Sequence, residues 1–139
     1  MTGTARSLDK TVREKLEEDL REIAQNTAKE MGGRAEFTFN KLYPPVVNDT
    51  AMNNIVKNAA KKLDCIKNIV TLEKASMTGD DFSYFGEIIP SSYFKLGVGN
   101  KDIDAIYPLH NPKFRADDEA LIIGARLVTQ IALDYLSQN

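Results

Sequence analysis

The sequence predicts an α/β fold, and three observations carry that reading. Val12, Leu16, Leu20, Ile23, Thr27 and Met31 recur at spacings of three or four, as on one face of an amphipathic helix. Residues 34–40 then alternate strictly, Ala35, Phe37 and Phe39 against Arg34, Glu36, Thr38 and Asn40, which is the period of a half-buried strand. Extended and helical patterns go on alternating, so the chain reads β-α-β-α twice, an order typical of α/β proteins.

In order along the chain, residues 2–8 are too short for a helix and read as a strand end. Asp9 offers a cap for the helix that follows, and Gly32-Gly33 stops it, as glycine does past a helix C-terminus. Glu17 and Arg21 form an i,i+4 pair on its wet side. The alternating strand ends at Pro44-Pro45, since proline cannot donate to a ladder. Asn48-Asp49 caps a second helix whose buried face is Met52, Ile55, Val56, Ala59 and Leu63.

The second half opens with a strand over residues 68–73. Asp80-Asp81 begins a short helix to about Ile89, and Pro90 breaks it. Residues 92–98 read as a strand with Phe94, Leu96 and Val98 on one face, and Gly97 and Gly99 mark a tight exit. A loop from Asn100 to Ala116 carries the only histidine, and a last helix starts at Asp117-Asp118-Glu119, with carboxylates set against its dipole. Its predicted packing stripe is Leu121, Gly124, Val128, Ile131 and Tyr135. A boundary is placed near residues 64–67, giving segments 1–64 and 65–139.

Composition narrows the function classes. The chain has 139 residues, enough for one domain with a real core, and a net charge of -2. No basic surplus points to nucleic acid, and Lys61-Lys62 is the only adjacent basic pair. Cys65 is the sole cysteine, so neither an internal disulfide nor a multi-cysteine zinc site is available. No apolar run approaches membrane-spanning length and no signal-peptide core opens the chain. The expectation is a soluble, cytoplasmic protein without membrane or nucleic-acid partners.

The candidate chemistry is sparse. His110 sits in a proline-framed loop before a helix, a place suited to a ligand or base and equally to an exposed structural histidine. A catalytic zinc site needs about three protein ligands, and one histidine with one distant cysteine does not supply them. Cys65 reads as a small buried residue beyond a helix. Residues 77–82 (MTGDDF) form a turn into a helix, with Thr78 or Asp80 as cap, or with a carboxylate pair facing a cation. Gly97-Val98-Gly99-Asn100 lacks the glycine spacing of either phosphate-binding motif.

Four ordered stretches resemble the aminoacylase and hippurate-hydrolase type of metallo-amidohydrolase, which includes the auxin-conjugate hydrolases. They are Gly3-Thr4-Ala5-Arg6-Ser7-Leu8-Asp9; Tyr43-Pro44-Pro45-Val46-Val47-Asn48-Asp49; Met77 to Phe85 with Phe94 to Asn100; and Leu109-His110-Asn111-Pro112-Lys113-Phe114 followed by Asp118-Glu119-Ala120-Leu121. Together they cover nearly the whole chain.

The resemblance implies that residues 1–64 are the second half of a lid, or dimerisation, α/β sandwich. It makes residues 65–139 the C-terminal part of a catalytic domain that uses zinc or manganese to cleave N-acyl amino acids. It makes His110 a metal ligand, and it gives Arg6, Asp80 and Asp81 places near the substrate or around the metal. It also implies a homodimer.

The family's remaining ligands, its general-base glutamate, and the lid histidine and asparagine that hold substrate lie upstream of this chain. Cys65 does not match the family's ligand cysteine, and Arg115 stands where an acidic residue is common. No catalytic residue is therefore assigned, and the chain is expected to be an inactive fragment. The alternative is a non-enzymatic dimerisation or interaction module derived from the same family.

Overall fold

The computed structural model describes residues 1–137. Its helices are α1 (Lys10–Glu30), α2 (Thr50–Lys61), the single turn α3 (Ser83–Gly86) and α4 (Glu119–Leu136), with a 3-10 turn at Lys101–Ile103. The chain divides into two compact units. Met1–Val47 and Leu72–Ile89 form the first; Asn48–Thr71 and the chain from Pro90 onward form the second.

In the first unit α1 has the boundaries that its end residues dictate. An Asp9 carboxylate oxygen accepts the Val12 N–H at 2.8 Å, satisfying one of the donors left open at a helix start. At the other end Gly32 takes φ +73°. Its N–H donates to the Lys29 carbonyl, and that of Gly33 to the Ala28 carbonyl at 2.7 Å. This is a Schellman closure, and its left-handed residue is glycine because a Cβ there would be strained.

Residues 34–43 run back along α1 in the opposite direction. The Arg21 guanidinium lies 5.5 Å from the centre of the Phe37 ring, Lys41 pairs with Glu17 at 3.1 Å, and Arg13 donates to the Leu42 carbonyl. The Lys41 ammonium, with Arg21 from the same helix, holds the Glu17 carboxyl below its usual range. Burial alternates as expected along this strap: Ala35, Phe37 and Phe39 are half-buried and their neighbours exposed. The inward face of α1 is Leu16, Leu20, Ala24 and Ala28, whereas Val12, Ile23 and Met31 of the predicted stripe are exposed.

The second unit is built on α2 against α4. Asp49 caps α2 by accepting the Met52 N–H at 2.9 Å. Ala59, Ala60 and Leu127 form the buried cluster, with Leu63, Ile66 and Ile131 packed on it. Beside it Lys62 reaches Asp134 at 2.6 Å, and the Gln130 amide donates to the same oxygen. Asn48 binds the backbone of Tyr93 in both directions, accepting its N–H at 2.8 Å and donating to its carbonyl at 2.9 Å.

Three expectations change. The segments 2–8, 34–40, 68–73 and 92–98 form no ladder; among the described residues the one β pairing is an isolated antiparallel bridge, Asn100 with Ala105. Alternation decides which side chains turn inward, but a strand also needs a neighbour for its N–H and C=O groups. The predicted helix to Ile89 contracts to the turn α3, because Gly86 weakens it and Pro90 disfavours helical backbone at Ile89. On α4 the buried side is Ala120, Leu127 and Asp134, flanked by Gly124 and Ile131 of the predicted stripe, while Leu121, Val128 and Tyr135 are exposed. Apolar residues surround nearly the whole of α4, so periodicity could not set the phase of its stripe.

Candidate functional site

The loop carrying His110 is tied down at both ends. Asn100 and Ala105 exchange backbone hydrogen bonds of 3.0 and 2.8 Å, and the Asn100 side chain accepts the Asp102 N–H. The Asn100 amide also donates to one Asp117 oxygen at 2.7 Å. The other Asp117 oxygen accepts the Glu119 N–H at 3.1 Å, so Asp117 holds the first N–H of α4 while bonding the loop. The Asn100 amide and the Glu119 N–H, aided by Arg115, hold the Asp117 carboxyl below its usual range. The Asp117 N–H in turn donates to the Val98 carbonyl at 2.9 Å.

Within this frame Pro108 to Asn111 makes a tight turn, closed by the Asn111 N–H on the Pro108 carbonyl at 3.1 Å. His110 is its third residue, with φ +70°. A left-handed histidine is uncommon and costs on the order of 1–3 kcal/mol when held, a pattern that clusters at functional positions. The imidazole is exposed. The Asn111 side chain then accepts the Lys113 N–H, and Lys113 lies 5.4 Å from the centre of the Tyr107 ring. Between these strands of the loop opens a groove of about 390 Å³, walled by Val98, Ile106, Tyr107 and Phe114 and edged by Lys101 and Arg115.

The other predicted residues lie in the first unit. Asp80 accepts the Phe82 N–H at 3.0 Å through its side chain and the Ser83 hydroxyl at 2.7 Å through its carbonyl. It closes the turn that leads into α3 rather than capping the helix from its N-cap position, which is Phe82. Asp81 is exposed, and so is Arg6. Tyr43 meets Tyr84 edge-on at 6.0 Å, and a Cβ on Gly79 would stand 3.1 Å from the Tyr43 ring. Two of the four resembling stretches thus touch through Tyr43. Cys65 is half-buried just past α2. Neither Asn100 nor Asp134 is among the site residues that the sequence predicts. An aspartate inside an apolar helix is a signal for a buried pair, whereas nothing local marks Asn100 as the anchor of its loop.

Peptidase family M20/M25/M40 matches residues 3–134. The chain belongs to this family. Among curated relatives it is 29% identical over 135 residues to the putative amidohydrolase YhaA of Bacillus subtilis, covering 97% of this chain and 34% of that protein. It is 34% identical over 136 residues to thermostable carboxypeptidase 1 of Saccharolobus solfataricus, covering 97% and 34%. With the N-acetylcysteine deacetylase of Bacillus subtilis it shares 30% over 136 residues, 98% of this chain and 34% of that one. The chain therefore spans about a third of the length of the curated relatives it matches. No solved structure matches.

Peptidases of the M20/M25/M40 family are generally metal-dependent. The described residues do not complete a metal centre. His110 offers one exposed imidazole, and among the described residues no three His, Cys, Asp or Glu side chains come together as a ligand group. Among the described residues, no helix is long and apolar enough to cross a membrane.

Proposed function

We propose that this chain is the C-terminal segment of an M20-type amidohydrolase acting on N-acyl amino acids, and that alone it does not turn over. The observation that carries the reading is the left-handed turn that projects His110 from a pinned loop beside a partly cationic groove. In this reading His110 is one ligand of a zinc or manganese site whose other ligands lie elsewhere in the enzyme. Arg6, Asp80 and Asp81 serve near the substrate or around the metal. Residues 1–64 derive from an α/β lid that pairs two copies, and residues 65–139 from the catalytic domain, in a cytoplasmic enzyme.

The names of relatives support the substrate class, since N-acetylcysteine and N-acetyldiaminopimelate deacetylases are among them. The donor set supports inactivity: the sequence holds one histidine, and among the described residues no three His, Cys, Asp or Glu side chains gather as the ligands that catalytic zinc takes. The test is an assay of purified, zinc- or manganese-loaded chain on N-acetyl and N-benzoyl amino acids. No release of free amine above a His110→Ala control is expected. Turnover that the His110→Ala variant loses would overturn the inactive reading.

A further inference from the structure

His110 stands at the tip of a lobe, residues 106–116, and both ends of that lobe are bonded to one residue. The Asn100 backbone exchanges hydrogen bonds of 3.0 and 2.8 Å with Ala105 at the first end. The Asn100 side-chain amide donates to the Asp117 carboxylate at 2.7 Å at the other. Ala105 is buried, and Asn100 and Asp117 are half-buried. The bonds at the tip are local: the Asn111 N–H to the Pro108 carbonyl, the Phe114 N–H to the Asn111 carbonyl, and the Lys113 N–H to the Asn111 side chain. A left-handed residue other than glycine persists where its surroundings over-determine it, and closing a lobe at its base restricts the conformations open to its tip.

We propose that Asn100 is a positioning residue for His110: by joining Ala105 to Asp117 it fixes the lobe that presents the imidazole. The residue type fits that task. The position needs an acceptor for the Asp102 N–H, 3.0 Å from the side-chain oxygen, and a donor for the Asp117 carboxylate. An asparagine amide supplies both, an aspartate only the acceptor, and an alanine neither. A donor aimed at a carboxylate makes one of the stronger hydrogen bonds, and the same carboxylate takes the Glu119 N–H at the start of α4. The lobe is thereby referenced to an 18-residue helix rather than to another loop. A side chain that binds metal or substrate is held only as firmly as the residues behind it. What His110 binds rests on the amidohydrolase reading; how it is held does not.

The test is solution NMR of the whole chain without metal. Two signals are read: the one-bond Cα–Hα coupling of His110, which separates positive from negative φ, and the temperature coefficient of the Asn111 amide, which separates a bonded N–H from a free one. Asn100→Ala is expected to move both to the values of an unstructured peptide, while the Ala59 and Leu127 amide signals of the α2–α4 core stay in place. The exchange of Asn100→Asp with Asp117→Asn is expected to restore both. It swaps donor and carboxylate but keeps every bond, since the new carboxylate accepts the Asp102 N–H and the new amide still accepts the Glu119 N–H. Should Asn100→Ala unfold the chain, Asp117→Asn alone, which cannot satisfy Asn100 and Glu119 together, is expected to give the same local loss. Three outcomes overturn the proposal: a left-handed His110 that survives these losses, a folded exchange variant whose tip stays unstructured, or core and tip signals lost together in every variant. No metal enters the measurement, so failure of the positioning role and failure of the amidohydrolase reading are seen separately.

Discussion

At the scale of single residues, the contact most exposed to test is Lys62 with Asp134. Their 2.6 Å bond joins residues 72 positions apart, on a carboxylate that is itself buried. The Lys62 ammonium, with the Gln130 amide, holds Asp134 below its usual range. A depressed carboxyl stabilises the fold fully above its unfolded pKa, near 4, and that contribution is lost as pH falls through the lower folded value. Urea midpoints measured from pH 6 down to pH 2 should therefore fall in the native chain. Lys62→Met should start lower at pH 6 and lose less on acidification; parallel curves would mean the pair is not coupled to folding. Gly124 gives a second test, because its Cβ position lies 3.2 Å from Leu96 Cδ2. Gly124→Leu should overfill that contact and cost about 1–3 kcal/mol in a denaturant titration. Asp134 is a charge in an apolar helix, but its local sequence names no partner in another helix. His110 was visible as a lone histidine framed by prolines; its left-handed backbone was not.

At the scale of elements, what was legible depended on how local the determinant is. The ends of α1 are set by Asp9 and Gly32-Gly33, and both act on backbone groups within four or five positions. Sequence alone therefore placed this helix to within a residue. Asp9→Ala should cost about 1 kcal/mol, and Gly32→Val about 1–2 kcal/mol, because a branched side chain resists a left-handed backbone. Both should appear as a lower thermal midpoint in the α1 helical signal. The strands were not legible in the same way. Their alternation at 34–40 is realised as alternating burial against α1, yet ladder pairing depends on a neighbour that the segment's own residues do not encode. The stripe on α4 held only at Gly124 and Ile131, for a different reason: with apolar residues almost all round, its buried arc is chosen by α2 and by the Lys62 pair rather than by its own period.

At the scale of the whole molecule, burial is unequal between the two units. Ala59, Ala60, Ala105, Ala120 and Leu127 all belong to the second unit. Among the described residues the first unit buries only Pro44 and Ser83; what orders it is α1 with its strap of ion pairs and the Phe37 and Tyr43 contacts. Exposed ion pairs contribute little each, whereas buried aliphatic side chains contribute most per residue. The two units should accordingly open at different free energies. Amide hydrogen exchange followed by mass spectrometry should show α1 and residues 72–89 exchanging faster than α2 and α4. Leu127→Ala should cost about 2–5 kcal/mol by emptying the buried cluster, stripping protection from α2 and α4. If the units are separate in folding, exchange in α1 stays unchanged in that variant. Loss of protection in α1 together with α4 would instead make the chain one cooperative unit, and the small core around Leu127 would then stabilise all of it.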